Sequence, residues 1–407
     1  MTAPHVSGRA AVDAPSAVAA ASYLIGINQL ISNLQPLILG ALADAYGLSD
    51  TQLGHVSAIF IGFNTLAVLS APVWVRRVNW RTISAAVVAL AAGALAAGAA
   101  LSTLPAILLL FAVLGVLKGT LGAPSFASLG DTANPDRSYA ASLISQSLLA
   151  AAAAVPVAQW LIPQHGVVGL FLGLAAIAAT GLVAARWLPA AGAVPASEVA
   201  QAPKAALLTR GIVAPVIGLF ALGLFVCGIL SFWYFVERIG VARGVPPGVV
   251  GAAVSLCALA TVVTAGIVAW LGGRLPSLAF VGIGNVVLLA GYACLILDGD
   301  LAFIATTILF AMGWGLAQPG YWTIIRKVDA TGRLFVAAPA AGGVAGVLTG
   351  IVAGPVIERG GYTALILFSA AALTASAVCL LLAERAGALA LRGRAAAEIE
   401  ARRECEA

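Results

Sequence analysis

Charge is the scarcest feature of this 407-residue chain: Asp, Glu, Lys and Arg together make up 9% of it, against about 25% in soluble domains. So few ions cannot cover a water-facing surface, which excludes a soluble enzyme or binding module. Histidine occurs three times, at His5, His55 and His165, too scattered to form a ligand set. The five cysteines (Cys227, Cys257, Cys294, Cys379 and Cys405) show no C-x-x-C spacing, and four lie inside apolar runs. They read as small core residues, neither a disulfide frame nor a metal cage. H-E-x-x-H, G-x-S-x-G and P-loop patterns are missing, so no metal, cofactor or catalytic group is expected. The net charge of +5 is no nucleic-acid footprint, because the basic residues sit in short loops between apolar runs.

What fills the chain is hydrocarbon. Hydrophobic residues make up 61% and the mean hydropathy is +1.04. A bilayer core needs about 20 apolar helical residues, and runs of that length recur at roughly 17–42, 52–75, 82–101, 105–128, 139–162, 166–187, 211–236, 248–272, 278–297, 301–325, 334–357 and 362–383. The fold class that follows is all-α integral membrane, with twelve transmembrane helices. Residues 1–16 form an N-terminal tail, 17–187 and 211–383 two six-helix bundles, 188–210 a central loop and 384–407 a solvated helical tail. Gly and Pro inside the runs are tolerated by membrane helices.

Orientation follows from the basic residues. With the N-terminus in the cytoplasm, Arg76, Arg77, Arg81, Arg137, Arg186, Lys204, Arg210, Arg274, Arg326, Lys327 and Arg333 fall in cytoplasmic loops. Only Arg238, Arg243 and Arg359 fall outside, where the acids Asp44, Asp50, Glu237, Asp298, Asp300 and Glu358 gather. A multi-pass protein of a bacterial inner membrane, both ends cytoplasmic, is expected.

The two halves repeat each other. Gly47-Leu-Ser-Asp-Thr-Gln-Leu-Gly54 opens the second span and Gly244-Val-Pro-Pro-Gly-Val-Val-Gly251 the eighth, 197 residues on. Trp74 with Arg76 is matched by Trp270 with Arg274, Leu110-Phe-Ala-Val-Leu-Gly115 by Leu309-Phe-Ala-Met-Gly-Trp-Gly315, and Val155-Pro156 by Gly354-Pro355. Glycines at 342, 346, 350 and 354 put a side-chain-free stripe on the eleventh span. Such a stripe lets backbones approach closely, as a static seam or as a surface on which the halves slide.

Over its full length the chain resembles the major facilitator superfamily. Pro72-Val-Trp-Val-Arg76-Arg77-Val-Asn79-Trp80-Arg81 is similar to that family's G-x-x-x-D-R-x-G-R-R loop, with Arg76 in the acidic slot. Asp131-Thr-Ala-Asn-Pro135-Asp136-Arg137-Ser-Tyr-Ala140 resembles its D…P-x-R…A loop, and Gly350-x-x-x-Gly354-Pro355 its G-x-x-x-G-P element. The resemblance implies gating roles for Arg76, Arg77, Arg81, Asp131, Arg137, Gly350, Gly354 and Pro355. Drug antiporters carry G-x-x-x-G-P in the fifth span, where this chain reads Ala151-Ala-Ala-Ala-Val155-Pro156, which argues against drug export.

Lys118 is the basic residue deepest in a span, about 13 residues or roughly 20 Å along the fourth. A charge there costs at least ~2.5–3.5 kcal/mol and needs a partner or a wet cavity. No Asp or Glu lies at matching depth, so the countercharge can be an anionic substrate such as a carboxylate. Binding to helix carbonyls, or neutrality through desolvation, is the other reading. In the family's R-x-x-Q-G pattern, Gly115-Val-Leu-Lys118-Gly119 lacks the arginine and has lysine for the glutamine.

The resemblance further implies that spans one, four, seven and ten line a central cavity. Asn28, Ser32 and Gln35 share a face of the first; Cys227 and Tyr234 lie on the seventh, and Trp314, Gln318 and Tyr321 on the tenth. Helix–helix hydrogen bonds and aromatic packing are the competing uses of these side chains. The function expected is secondary transport of a small organic anion by one chain acting alone, with protons as a candidate coupling ion. Proton-antiport export of drugs or metabolites, and a transporter-like sensor, are the alternatives.

Overall fold

The computed structural model describes residues 10–193, 213–271, 274–329 and 338–406. Most of the expected central loop, with Lys204 and Arg210, and also Arg333, lie outside the described residues. The helices are α1 Pro15–Asn33, α2 Gln35–Tyr46, α3 Asp50–Trp74, α4 Trp80–Gly98, α5 Leu104–Gly130, α6 Pro135–Pro156, α7 Ile162–Ala185, α8 Val213–Ala242, α9 Pro247–Leu271, α10 Ser277–Cys294, α11 Asp300–Val328 and α12 Ala338–Glu406. A short π-turn, Val157–Leu161, joins α6 to α7.

Among the described residues, nine stretches are long and apolar enough to cross a membrane, ten when the bent pair α1–α2 is taken as one. Two of them, Arg137–Ala185 and Ala338–Gly387, run 49 and 50 residues, about twice the length a bilayer needs. Each turns back on itself at one glycine with left-handed backbone, Gly166 (φ 58°) in α7 and Gly361 (φ 68°) in α12. Counting each as two passes gives the twelve expected from the hydropathy. The left-handed glycines also mark the duplication: Gly47 (φ 62°) pairs with Gly244 (φ 74°), 197 residues on, and Gly166 with Gly361, 195 residues on.

The first span departs from expectation. Hydropathy predicts one run over 17–42, yet the helix breaks at Leu34 with a 42° bend between α1 and α2. Pro36 is the cause: it has no N–H to donate to the Ser32 carbonyl four residues back, and its ring crowds that carbonyl. Elsewhere caps follow sequence. Ser49 and Gln52 form a reciprocal capping box that starts α3, and Asn79 caps α4 through Thr82 N–H.

The halves meet along three helix pairs: α3 with α12, α6 with α9 and, at the acidic end, α2 with α8. The glycine stripe is the first seam. A Cβ added at Gly350 would sit 2.6 Å from the Gly54 carbonyl oxygen and 2.8 Å from the Ala58 nitrogen; one at Gly354 would sit 2.6 Å from the Asp50 oxygen. Gly346 faces Ile61, and Gly343 abuts Thr65. Nothing larger fits between these backbones. In the second seam, Ser255 Oγ of α9 donates to the Ala151 carbonyl of α6 at 3.0 Å, and Gly251 packs on Ala154 and Ala158.

Candidate functional site

Lys118 is the fifteenth of the 27 residues of α5, at mid-helix as its sequence position implies. Small residues put it there: Gly115 and Gly119 press α5 against α3, so that a Cβ at Gly119 would lie 2.6 Å from Ala67 Cβ and 2.7 Å from the Asn64 carbonyl oxygen. The close crossing brings Lys118 Nζ over the Phe60 ring, 5.7 Å from its centroid, a cation–π approach. Phe60 is itself held by an edge-on contact with Phe111 at 6.1 Å. Among the described residues no carboxylate pairs with Lys118, and the side chain is only partly covered.

One turn farther along α5, Gly122 admits the Asn28 amide, whose nitrogen is 3.3 Å from the space a Cβ would take. Asn28 Oδ1 and the neighbouring Gln29 Oε1 are buried and have no hydrogen-bond partner. On the other half, the buried indole nitrogen of Trp314 is likewise unpartnered, and Gln318, four residues on, is partly exposed. Unsatisfied polar groups at this depth are costly, and each of them can bond to a solute.

The remaining expected site residues are engaged elsewhere. Gln35 Nε2 donates to Ser57 Oγ at 2.9 Å, tying α2 to α3. Ser32 lies at the α1–α2 bend, where its carbonyl accepts from Trp233 Nε1 at 3.0 Å. Cys227 Sγ donates to the Ala345 carbonyl at 3.5 Å, which joins α8 to α12. Tyr234 is buried. Tyr321 points into the core of the second half: it stacks on Phe225 at 4.5 Å, its hydroxyl lies 2.7 Å from Ser376 Oγ, and it accepts from Asn285 Nδ2 at 3.3 Å. Its i+7 spacing from Trp314 does not carry it to the same surroundings.

At the basic end, Arg76 and Asp131 form a two-pronged ion pair, with the second prong 2.8 Å long. Arg76 also lies over the Trp80 ring, 5.4 Å from its centroid. Asp131 accepts the Ala193 N–H at 2.9 Å, Ala190 accepts the Trp80 N–H at 2.8 Å, and Arg81 Nε donates to the Leu188 carbonyl at 3.0 Å. The start of the central loop is thereby strapped over the α3–α4 corner. Arg77 and Arg137 are exposed, and Pro355 is partly buried beside the seam. Asp131→Asn is expected to destabilise the fold by about 3 kcal/mol, since it removes the countercharge of a largely buried guanidinium. A thermal melt of the purified protein would show this. The charge-reversed pair R76D/D131R should recover only part of the loss, because Ala193 N–H keeps no carboxylate.

At the acidic end the bonds run between halves. Arg238 of α8 reaches Asp44 of α2 with bonds of 2.7 and 3.1 Å, and it also binds the adjacent Glu237. Glu237 lies against Gly40. Glu358 accepts the Thr51 N–H at 3.2 Å, and the Tyr362 hydroxyl donates to Asp50 at 3.3 Å. None of these pairs is visible from sequence spacing; the excess of acids on one side was the only sign of them.

The family model of the Major Facilitator Superfamily matches residues 21–334. The chain belongs to that superfamily. Superfamily membership makes it a multi-pass membrane transporter rather than a catalytic enzyme. Among solved structures, a point mutant of the nucleoside transporter NupG superposes with a TM-score of 0.70 at 13% identity, covering 91% of this chain and 99% of that one. A bacterial homologue of the human lysosomal transporter Spinster, inward-facing and unoccupied, gives 0.64 at 12%, covering 96% and 98%. At such identities the likeness is one of fold. No curated protein matches the sequence.

Proposed function

We propose that this superfamily member carries a small organic anion across the membrane by alternating access, with Lys118 as the anion's partner. The carrying observation is the ammonium at mid-span, beside Phe60 and, among the described residues, without a carboxylate, whereas other part-buried charges, Arg76 with Asp131 and Arg238 with Glu237, are paired near the helix ends. A carboxylate supplied by the solute offsets the desolvation of the lysine. Asn28, Gln29, Trp314 and Gln318 offer hydrogen bonds to the rest of the solute. The basic end faces the cytoplasm on the positive-inside rule. The bonds between halves gather at the acidic end, which supports a state closed to the outside.

A neutral solute is the second reading, favoured by the unbonded amide oxygens of Asn28 and Gln29 and by the fold shared with the nucleoside transporter NupG. A thermal-shift screen of the purified chain separates the two, since a ligand that binds only the folded state raises its melting temperature. Small carboxylates should stabilise it, and nucleosides, neutral sugars and cationic drugs should not. Stabilisation by nucleosides alone would remove the anion assignment. Proteoliposome uptake, with and without a proton gradient, then tests flux and coupling.

A further inference from the structure

Trp233 of α8 donates its indole N–H to the Ser32 carbonyl of α1 at 3.0 Å, across the boundary between the two halves. The Ser32 carbonyl is open to a foreign donor because Pro36, four residues on, has no N–H. In a membrane protein such a group must find a partner. The indole is set in advance, since it stacks on Phe310 of α11 with planes 3° apart and centroids 5.8 Å apart. Phe310 in turn packs against Phe232, which packs against Tyr292. The donor is thus fixed in one half by aromatic packing, and the acceptor in the other by the 42° bend that Pro36 imposes.

We infer that Trp233 is a positioning residue of the transport cycle, holding the acidic end shut by filling the backbone acceptor that Pro36 leaves open. The inference rests on the alternating-access reading but not on the anion site. A bond made only while the halves touch favours that state over the separated one, and only such differential contacts shift a conformational equilibrium. The alternative fastener, Arg238 with Asp44, is weaker in this respect: the Asp44 side chain is 66% exposed, where water and salt screen the pair. Trp233 lies five residues inside Arg238 on the same helix, roughly 7.5 Å deeper at 1.5 Å per residue.

The test is a double-mutant cycle read by hydrogen exchange of the full-length protein in lipid nanodiscs, without solute. Trp233→Phe keeps a stacking ring and deletes the donor. Backbone exchange across residues 35–46 and 50–58 is expected to rise about tenfold, as one lost hydrogen bond of ~1.4 kcal/mol implies. In a Pro36→Ala background the Ser32 carbonyl regains a donor within its own helix, and Trp233→Phe should then change exchange less than about twofold. Equal effects in both backgrounds, or none in either, would overturn the assignment and leave Trp233 as packing. Should Pro36→Ala fail to fold, benzothienylalanine at position 233 keeps the ring and removes only the N–H. Exchange raised as in Trp233→Phe then supports the latch, and wild-type exchange refutes it. Because no solute is present, the outcome is independent of whether Lys118 binds an anion.

Discussion

Lys118→Gln is expected to abolish uptake of the anionic solute while leaving the protein folded and its melting temperature, without ligand, unchanged or raised. The lysine costs free energy where it sits, since no carboxylate among the described residues pairs with it, so its removal relieves the empty protein. The loss falls on the complex: truncating one partner of a buried charge pair costs about 2–5 kcal/mol, roughly 30- to 4,000-fold in affinity. The ligand-induced rise in melting temperature should vanish with the uptake. Lys118→Arg keeps the charge but adds a planar fork between α5 and α3, where Gly115 and Gly119 leave little space; partial uptake is expected. Unaltered uptake kinetics in Lys118→Gln would remove the lysine from the site.

A change of comparable size is expected from Gly350→Leu, with Gly54→Ala as its milder counterpart. At both positions the nearest atoms are backbone of the facing helix, which cannot rotate aside as a side chain does. The helices must part, and overpacking of this kind costs about 1–3 kcal/mol, more for leucine. If the halves alternate as proposed, the α3–α12 seam parts when the acidic end opens, and the cost falls on the closed state. Amides at 50–58 and 343–358 should exchange faster, and transport should fail by loss of one of its two states. Gly266→Ala, whose added carbon meets nothing within 4 Å, should leave exchange and transport as they were. Normal transport in Gly350→Leu would mean that the seam does not alternate.

Much of this was legible in the sequence because a bilayer imposes a simple solvent. Run length set the spans, Lys and Arg set the orientation expected, and the glycines at 346, 350 and 354 named the closest approach, although Gly342 faces Val226 and Gly343 takes its place in the seam. The depth of Lys118 could be counted along the helix. What escaped reading is what depends on pairing distant segments. Arg238 with Asp44 spans 194 positions and Trp233 with Ser32 spans 201, and no local pattern joins them. Arg76 stands where the superfamily has an acid, and its acid, Asp131, proved to be 55 positions on. Tyr321 shows a second limit. Helical period tells which residues share a face, but in a chain apolar on all sides it does not tell whether that face meets the cavity or a neighbouring helix. Pro36 was visible as a residue, yet the bend and the orphaned carbonyl it creates were masked by hydropathy that runs unbroken through it.

Four of the five glycines with positive φ, Gly47, Gly166, Gly244 and Gly361, fall in matching positions of the two halves, at corners that no residue with a side chain occupies without strain. Each has open space around it, so bulk is not the obstacle and even alanine meets the same barrier. A saturation library grown under selection for the working protein should therefore return two pairs of intolerant codons set almost equally far apart, with Gly299 as an unpaired fifth. That record would recover the repeat of the two halves from survival data alone, without reference to the side chains around those corners.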